Sequence, residues 1–222
     1  MDSDIYTFDF KDLPPIQSKV DLHFSGDTYV TNSSDELKIP KLEQLMEEFP
    51  EVPFNMELKH DNQDLRVEVH KLIKKYNRES ITIWGSTNEE ANNLMRRMAP
   101  DVPTFTPVAT IMRIFVYFFI GYLPFYSIPH DTFQFPFMNA DYITETIKGG
   151  SSVGKRLSIF GLQVYNAIAL LIFYHLRSRR IYVFYYNINT EEEFEAGMKK
   201  GIDGIITDAP EVLVNHLNKK QS

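Results

Sequence analysis

A chain of 222 residues, 43% apolar and 24% charged, is long enough for one domain with a sizeable core and too apolar to be disordered. Its formal charge of −7 argues against nucleic acid as the main partner. It has no cysteine, which excludes disulfides, thiolate nucleophiles and zinc–thiolate sites and fits a reducing compartment.

The acidic start, Met1-Asp2-Ser3-Asp4, reads as neither a signal nor a transit peptide. Phe8-Asp9-Phe10 and Leu13-Pro14-Pro15 read as an extended piece and a turn. Residues 20–24 alternate weakly, as a strand does, and 26–36 read as a polar loop. His23 has apolar neighbours and no evident partner, so it reads as structural. The spacing of Leu42, Leu45, Met46 and Phe49 predicts a helix, with Pro40 suited to its first position.

Residues 52–59 read as a short strand, with Phe54, Met56 and Leu58 on one face and Asn55, Glu57 and Lys59 on the other. Charges at the carboxyl end of such a strand suggest a site, because α/β folds place their chemistry there. A half-exposed edge strand with a solvated Glu and Lys fits the pattern equally. Residues 64–76 follow as a helix with Leu65, Val69, Leu72, Ile73 and Tyr76 on one face. Ile81-Thr82-Ile83-Trp84 is a second strand, 88–98 a helix, and 103–108 a third short strand.

The rhythm then changes. Residues 114–129 carry no charge and are rich in Phe, Tyr and Ile. Gly121 and Pro124 interrupt the run, so an interfacial segment fits better than a span. A long core helix under a barrel fits as well. Residues 157–174 form a second uncharged run, preceded by Gly149-Gly150-Ser151 and followed by Arg177, Arg179 and Arg180. That basic end suits an anionic membrane surface, or equally a helix C-terminus. Residues 181–186 are a strong strand, Thr190 and Glu193 a capping box, and 204–207 a buried strand. Pro210 opens a last helix, capped by Asp208, with Leu213, Val214 and Leu217 inward.

The pieces Ile39-Pro40-x-Leu42, Met56-Glu57-Leu58-Lys59, Tyr182-Val183-Phe184-x-x-Asn187 and Gly201-x-Asp203-Gly204-Ile205-Ile206-Thr207-Asp208-x-Pro210 resemble, in this order, the glycerophosphodiester phosphodiesterases. Phe8-Asp9-Phe10-Lys11-Asp12-Leu13-Pro14, Tyr76-Asn77-Arg78 to Trp84, and Gly121-Tyr122-Leu123-Pro124-Phe125 resemble their membrane-associated, lysophospholipase-D-like branch.

The resemblance implies an α/β fold, a TIM barrel of the phospholipase-C-like type. It also implies a divalent metal, Mg or Ca, held by carboxylates, two acid–base histidines and a lysine for the developing phosphate charge. Carried over by motif, Glu57 is the metal ligand, Lys59 the catalytic lysine and Phe184 a substrate-binding position where the family usually has Trp. The family's opening His-Arg-Gly and Glu-x-Asp strands, and its second catalytic His, have no counterpart here. About six strand candidates stand against the eight of a closed barrel, so the expected fold is a partial barrel without its N-terminal strands. It would occupy residues 1–222, with an apolar, membrane-contacting insertion around 109–175.

The expected function is a phosphoric diester hydrolase of lysophospholipids or glycerophosphodiesters, inactive as this chain alone. The expected place is an intracellular, cytoplasmic or endoplasmic reticulum membrane. The alternative is a catalytically silent, membrane-attached fragment that binds a full-length relative. Open sheet edges favour self-association.

Overall fold

The computed structural model describes residues 8–21, 28–31, 37–138 and 152–221. Two compact units divide the chain, Met1–Pro50 and Glu51–Ser222. The readings for His23 and for Gly149-Gly150-Ser151 lie outside the described residues.

In the first unit, a 3-10 turn at Phe10–Asp12 precedes a short antiparallel pair, β1 (Lys19–Asp21) and β2 (Thr28–Val30). β2 corrects the loop reading of 26–36. Thr-Tyr-Val favours a strand, but the Gly, Asp, Asn and Ser around it hide the signal. α1 (Leu42–Glu48) starts after Lys41, whose N–H donates to the Gln44 side chain at 2.9 Å. Pro40 therefore stands outside the helix rather than at its first position.

The second unit alternates parallel strands with helices. In chain order these are β3 (Phe54–Glu57), α2 (Gln63–Lys75), β4 (Thr82–Gly85), α3 (Glu89–Met98), α4 (Val108–Phe119), β5 (Thr132–Pro136), α5 (Ser152–Ser178), β6 (Tyr182–Tyr186), α6 (Glu191–Lys199), β7 (Gly204–Ile206) and α7 (Pro210–Gln221). β3 pairs with β4, β5 with β6 and β6 with β7, all parallel. Bridges from Trp84 to Thr104 and from Phe105 to Thr132, also parallel, join the two sheets. Spatial order is therefore chain order throughout, as in a (β/α) barrel. The fold is a partial TIM barrel.

Local chemistry explains the element ends. Asn62 and Asn88 cap α2 and α3 by accepting from Leu65 and Ala91. Thr190 and Glu193 form the expected box at α6. α4 stops at Gly121, whose φ of +72° suits glycine, and the Tyr122 N–H closes onto the Tyr117 carbonyl at 2.8 Å.

Three readings change. The uncharged run 114–129 is a helix end, a 3-10 turn at Leu123–Phe125 and an approach to β5, which the sequence did not reveal as a strand. α4, β5 and much of α5 lie within the region around 109–175. In α2, Leu65 is exposed while Arg66 is buried beside Asp61. In α7, Val214 and Leu217 are exposed, and His216 is buried, its Nε2 2.9 Å from Glu195 and its Nδ1 3.2 Å from Glu191. Ion pairs with α6 outweigh the apolar spacing there.

The main core lies between α4, α5 and the outer faces of β5 and β6, where Ile114, Phe133, Phe173, Leu176, Val183 and Tyr185 are buried. Tyr165 and Tyr185 share a buried hydroxyl–hydroxyl bond of 2.6 Å. The ring of Phe133 stacks on that of Phe135 at 5.7 Å. Each such pair adds to the burial term.

Candidate functional site

Because the strands are parallel, their carboxyl ends share one rim. Glu57, Gly85, Pro136, Tyr186 and Ile206 close their strands there. The expected alternation in β3 holds: Leu58, just beyond the strand, is buried, and Asn55 and Glu57 are open to solvent. Arg78 secures the start of this strand. Its guanidinium lies 4.2 Å over the Phe54 ring and donates to the Val52 carbonyl.

Asn55 shows which way this face points. Its side chain exchanges hydrogen bonds with Gln134 of β5, at 2.9 and 3.3 Å, across 79 residues of sequence. β4 and the Thr104–Phe105 bridge lie between those strands in the sheet, so the contact crosses the concave side. Residues two apart on a strand share a face, which puts Glu57 on the same side as Asn55, at the rim.

Lys59 lies two residues past the strand and reaches back, its Nζ 2.6 Å from Glu57 Oε2. The Lys59 side chain is 80% exposed and that of Glu57 29%, so the pair is wet. His60 and Asp61 continue the same turn, and Asp61 is drawn to Arg66. Phe184 sits deeper, in register with Gln134 and Gly204. A Cβ on Gly204 would meet the Phe184 ring at 2.9 Å, so that glycine makes room for the ring. The structure therefore brings Glu57 and Lys59 together and places Phe184 in the middle of the sheet.

Hydrogen bonds between side chains and neighbouring backbone hold the rim together. Asn92 of α3 is fully buried; its amide donates to the Phe105 carbonyl at 2.7 Å and accepts from the Ser86 N–H at 3.2 Å. Gly85 leaves room for this, since a Cβ there would meet Phe105 at 2.7 Å and Asn92 at 2.9 Å. Asn189 accepts from the Thr207 hydroxyl and the Asp208 N–H, both at 2.8 Å, tying β6 to β7.

The sequence reading missed Asn55 and Gln134 as a pair. Thr132-Phe133-Gln134-Phe135 does alternate, and that was the available signal.

A divalent cation takes about six oxygen ligands. Glu57 offers one carboxylate already paired with an ammonium, and the described residues contain no group of three His, Asp or Glu suited to a metal. These residues do not compose a metal site by themselves. The described histidines other than His60 serve elsewhere. His70 lies near Trp84, His130 bonds Thr104 at 3.0 Å, His175 is on α5 and His216 pairs with α6.

A parallel, partly closed α/β barrel with an acid–lysine pair on its carboxyl rim defines the class. No protein-family model matches the sequence. The chain is similar to human lysophospholipase D GDPD3, 28% identical over 98% of this chain and 67% of that protein. Mouse lysophospholipase D GDPD1 is 30% identical, covering 93% of this chain and 65% of that protein. The chain thus spans about two thirds of the length of these curated relatives. Among solved structures, the glycerophosphoryl diester phosphodiesterase domain of Rv2277c from Mycobacterium tuberculosis superposes with a TM-score of 0.53 at 14% identity, covering 82% of this chain and 64% of that one.

The chain belongs to the glycerophosphodiester phosphodiesterase family.

Proposed function

We propose that this protein handles the phosphodiester of lysophospholipids or glycerophosphodiesters at a membrane, and that these residues alone do not complete hydrolysis. The observation that carries the reading is the Glu57–Lys59 pair at the carboxyl rim, 2.6 Å apart and open to water. Lys59 supplies the positive charge that a phosphodiester oxygen needs. Glu57 holds that ammonium at the rim by Coulomb attraction. Phe184 gives the concave face an apolar wall for the glycerol or acyl portion.

The relatives' names support the choice of substrate class. The second half of the proposal follows from the donor set. Acid–base work on a diester by two histidines has no counterpart among the described residues, where His60 is the histidine in the turn beside Glu57. For the metal of the resemblance, the described residues offer no group of three His, Asp or Glu. In this proposal the chain binds the diester without turning it over.

The test is a titration of the purified chain with glycerophosphocholine followed by NMR, with choline release assayed in parallel. Binding that is lost in Lys59→Ala, without choline release, is the expected result. Choline release that disappears in Glu57→Gln would show the chain to be a complete enzyme. Binding unaffected by Lys59→Ala would remove the rim as the phosphate site.

A further inference from the structure

In the second unit, many of the exposed large apolar side chains lie on α4, in the turn after it and on α5. Along α4, Val108, Met112, Val116 and Phe119 follow a spacing of four, four and three, so they form one stripe, and each is more than half exposed. Ile120 is 67% exposed and Phe125, in the turn beyond, 77%. On α5, Tyr174 is 78% exposed. Patches of this kind mark contact surfaces.

The lower part of this surface lies at the amino end of the sheet. Phe125 precedes β5, and Tyr174 lies in the last turns of the helix that leads into β6. Arg179 joins the two, donating to the Pro124 and Tyr126 carbonyls. Arg177, Arg180 and Tyr182 line an open cavity of about 500 Å³ beside Tyr174, with Asp203 as its acid, 2.9 Å from Arg177. Three arginines stand here against Asp203 and Asp131, whose carbonyl accepts from the Tyr182 N–H at 2.9 Å, so this corner is basic in a chain whose formal charge is −7. No charged residue lies between Arg113 and Asp131.

We propose that this amino-end surface docks on a bilayer containing anionic phospholipid, with Ile120, Phe125 and Tyr174 entering the interface and Arg180 meeting headgroups. The proposal rests on the membrane placement proposed above and adds which face is used. Exposed aromatics beside cations are the composition that suits the headgroup boundary. A symmetric contact with a second copy would instead bring the two arginine clusters together at a cost. No described helix is long and apolar enough to cross a membrane, so the contact is interfacial for this part of the chain.

A consequence follows for access. Glu57 lies at the opposite end of the same parallel sheet. Docked this way, the barrel turns its rim toward water, and a diester reaches Lys59 from the aqueous side.

The test is flotation of the full chain with phosphatidylcholine vesicles, with and without phosphatidylserine. The chain is expected to float with the phosphatidylserine vesicles and much less with phosphatidylcholine alone. Phe125→Ser with Ile120→Ser should cut the bound fraction about ten-fold, and Arg180→Glu about five-fold or more. Phe125→Trp should be quenched by brominated lipid, a readout that a purely structural role does not give. Glycerophosphocholine binding should be unchanged in Phe125→Ser, so failure of the rim and failure of this face are told apart. Absence of flotation, or flotation that survives all these changes, overturns the proposal. So does a dimer that Phe125→Ser converts to monomer without any vesicle binding.

Discussion

The two ends of the parallel sheet are built on different principles. At the amino end, an aspartate immediately before a strand clamps its neighbour. Asp131 accepts from the Thr104 N–H at 2.8 Å while its own N–H donates to the Thr104 carbonyl at 2.9 Å. Asp203 repeats the device on Val183, at 2.8 and 2.7 Å, and adds an ion pair to Arg177. At the carboxyl end, the polar groups that face the concave side are wet and paired with one another, Asn55 with Gln134 and Glu57 with Lys59. The difference separates two kinds of motif residue. Asp203, inside the run that most specifically resembles the family, is explained by strand pairing. Glu57 and Lys59 instead pair with each other at the water-exposed rim, where the proposed site lies.

The comparison breaks first at Asp203. Asp203→Ala leaves the Val183 N–H without its carboxylate and frees Arg177, and should destabilise the protein by about 3 kcal/mol in urea unfolding. A change near zero would remove the clamp as an organising device.

A comparable effect belongs to His130, buried beside Thr104 at the same end. Burial first, and then the charge of Arg96, lowers its pKa from 6.5 to about 4. The unfolded chain therefore binds the extra proton first, so the contribution is fully present above pH 6.5 and is lost as pH falls toward 4. The loss should reach up to about 3 kcal/mol, and His130→Gln should flatten that part of a Tm-against-pH profile.

The smallest effect sharpens the contrast. Glu57→Gln and Lys59→Ala should each change stability by less than about 0.5 kcal/mol, because exposed ion pairs contribute little, while Lys59→Ala removes diester binding.

Much of the repeat was legible in the chain. β3, β4, β6 and β7 announce themselves by apolar alternation and by polar or glycine stops, and the Thr190–Glu193 box by its spacing. β5 did not. Thr132–Pro136 follows a long apolar stretch in which period alone does not separate a helix from a buried strand. Its neighbours Phe105 and Tyr182 decide it. The same limit explains α7, where spacing alone put Val214 and Leu217 inward and the acids of α6 drew in His216.

By itself, the amino-acid sequence determined where most strands and helices alternate, which strand ends in an acid and a lysine, and a series of short motifs that resembles the phosphodiesterase barrels. These are local facts, carried by side-chain period, caps and short motifs. Tertiary structure decided that Asn55 meets Gln134, that Asp203 serves the neighbouring strand, and that the aromatic surplus collects at the end away from Glu57. Those depend on which segments become neighbours when parallel strands pair across long separations, and no local pattern encodes that.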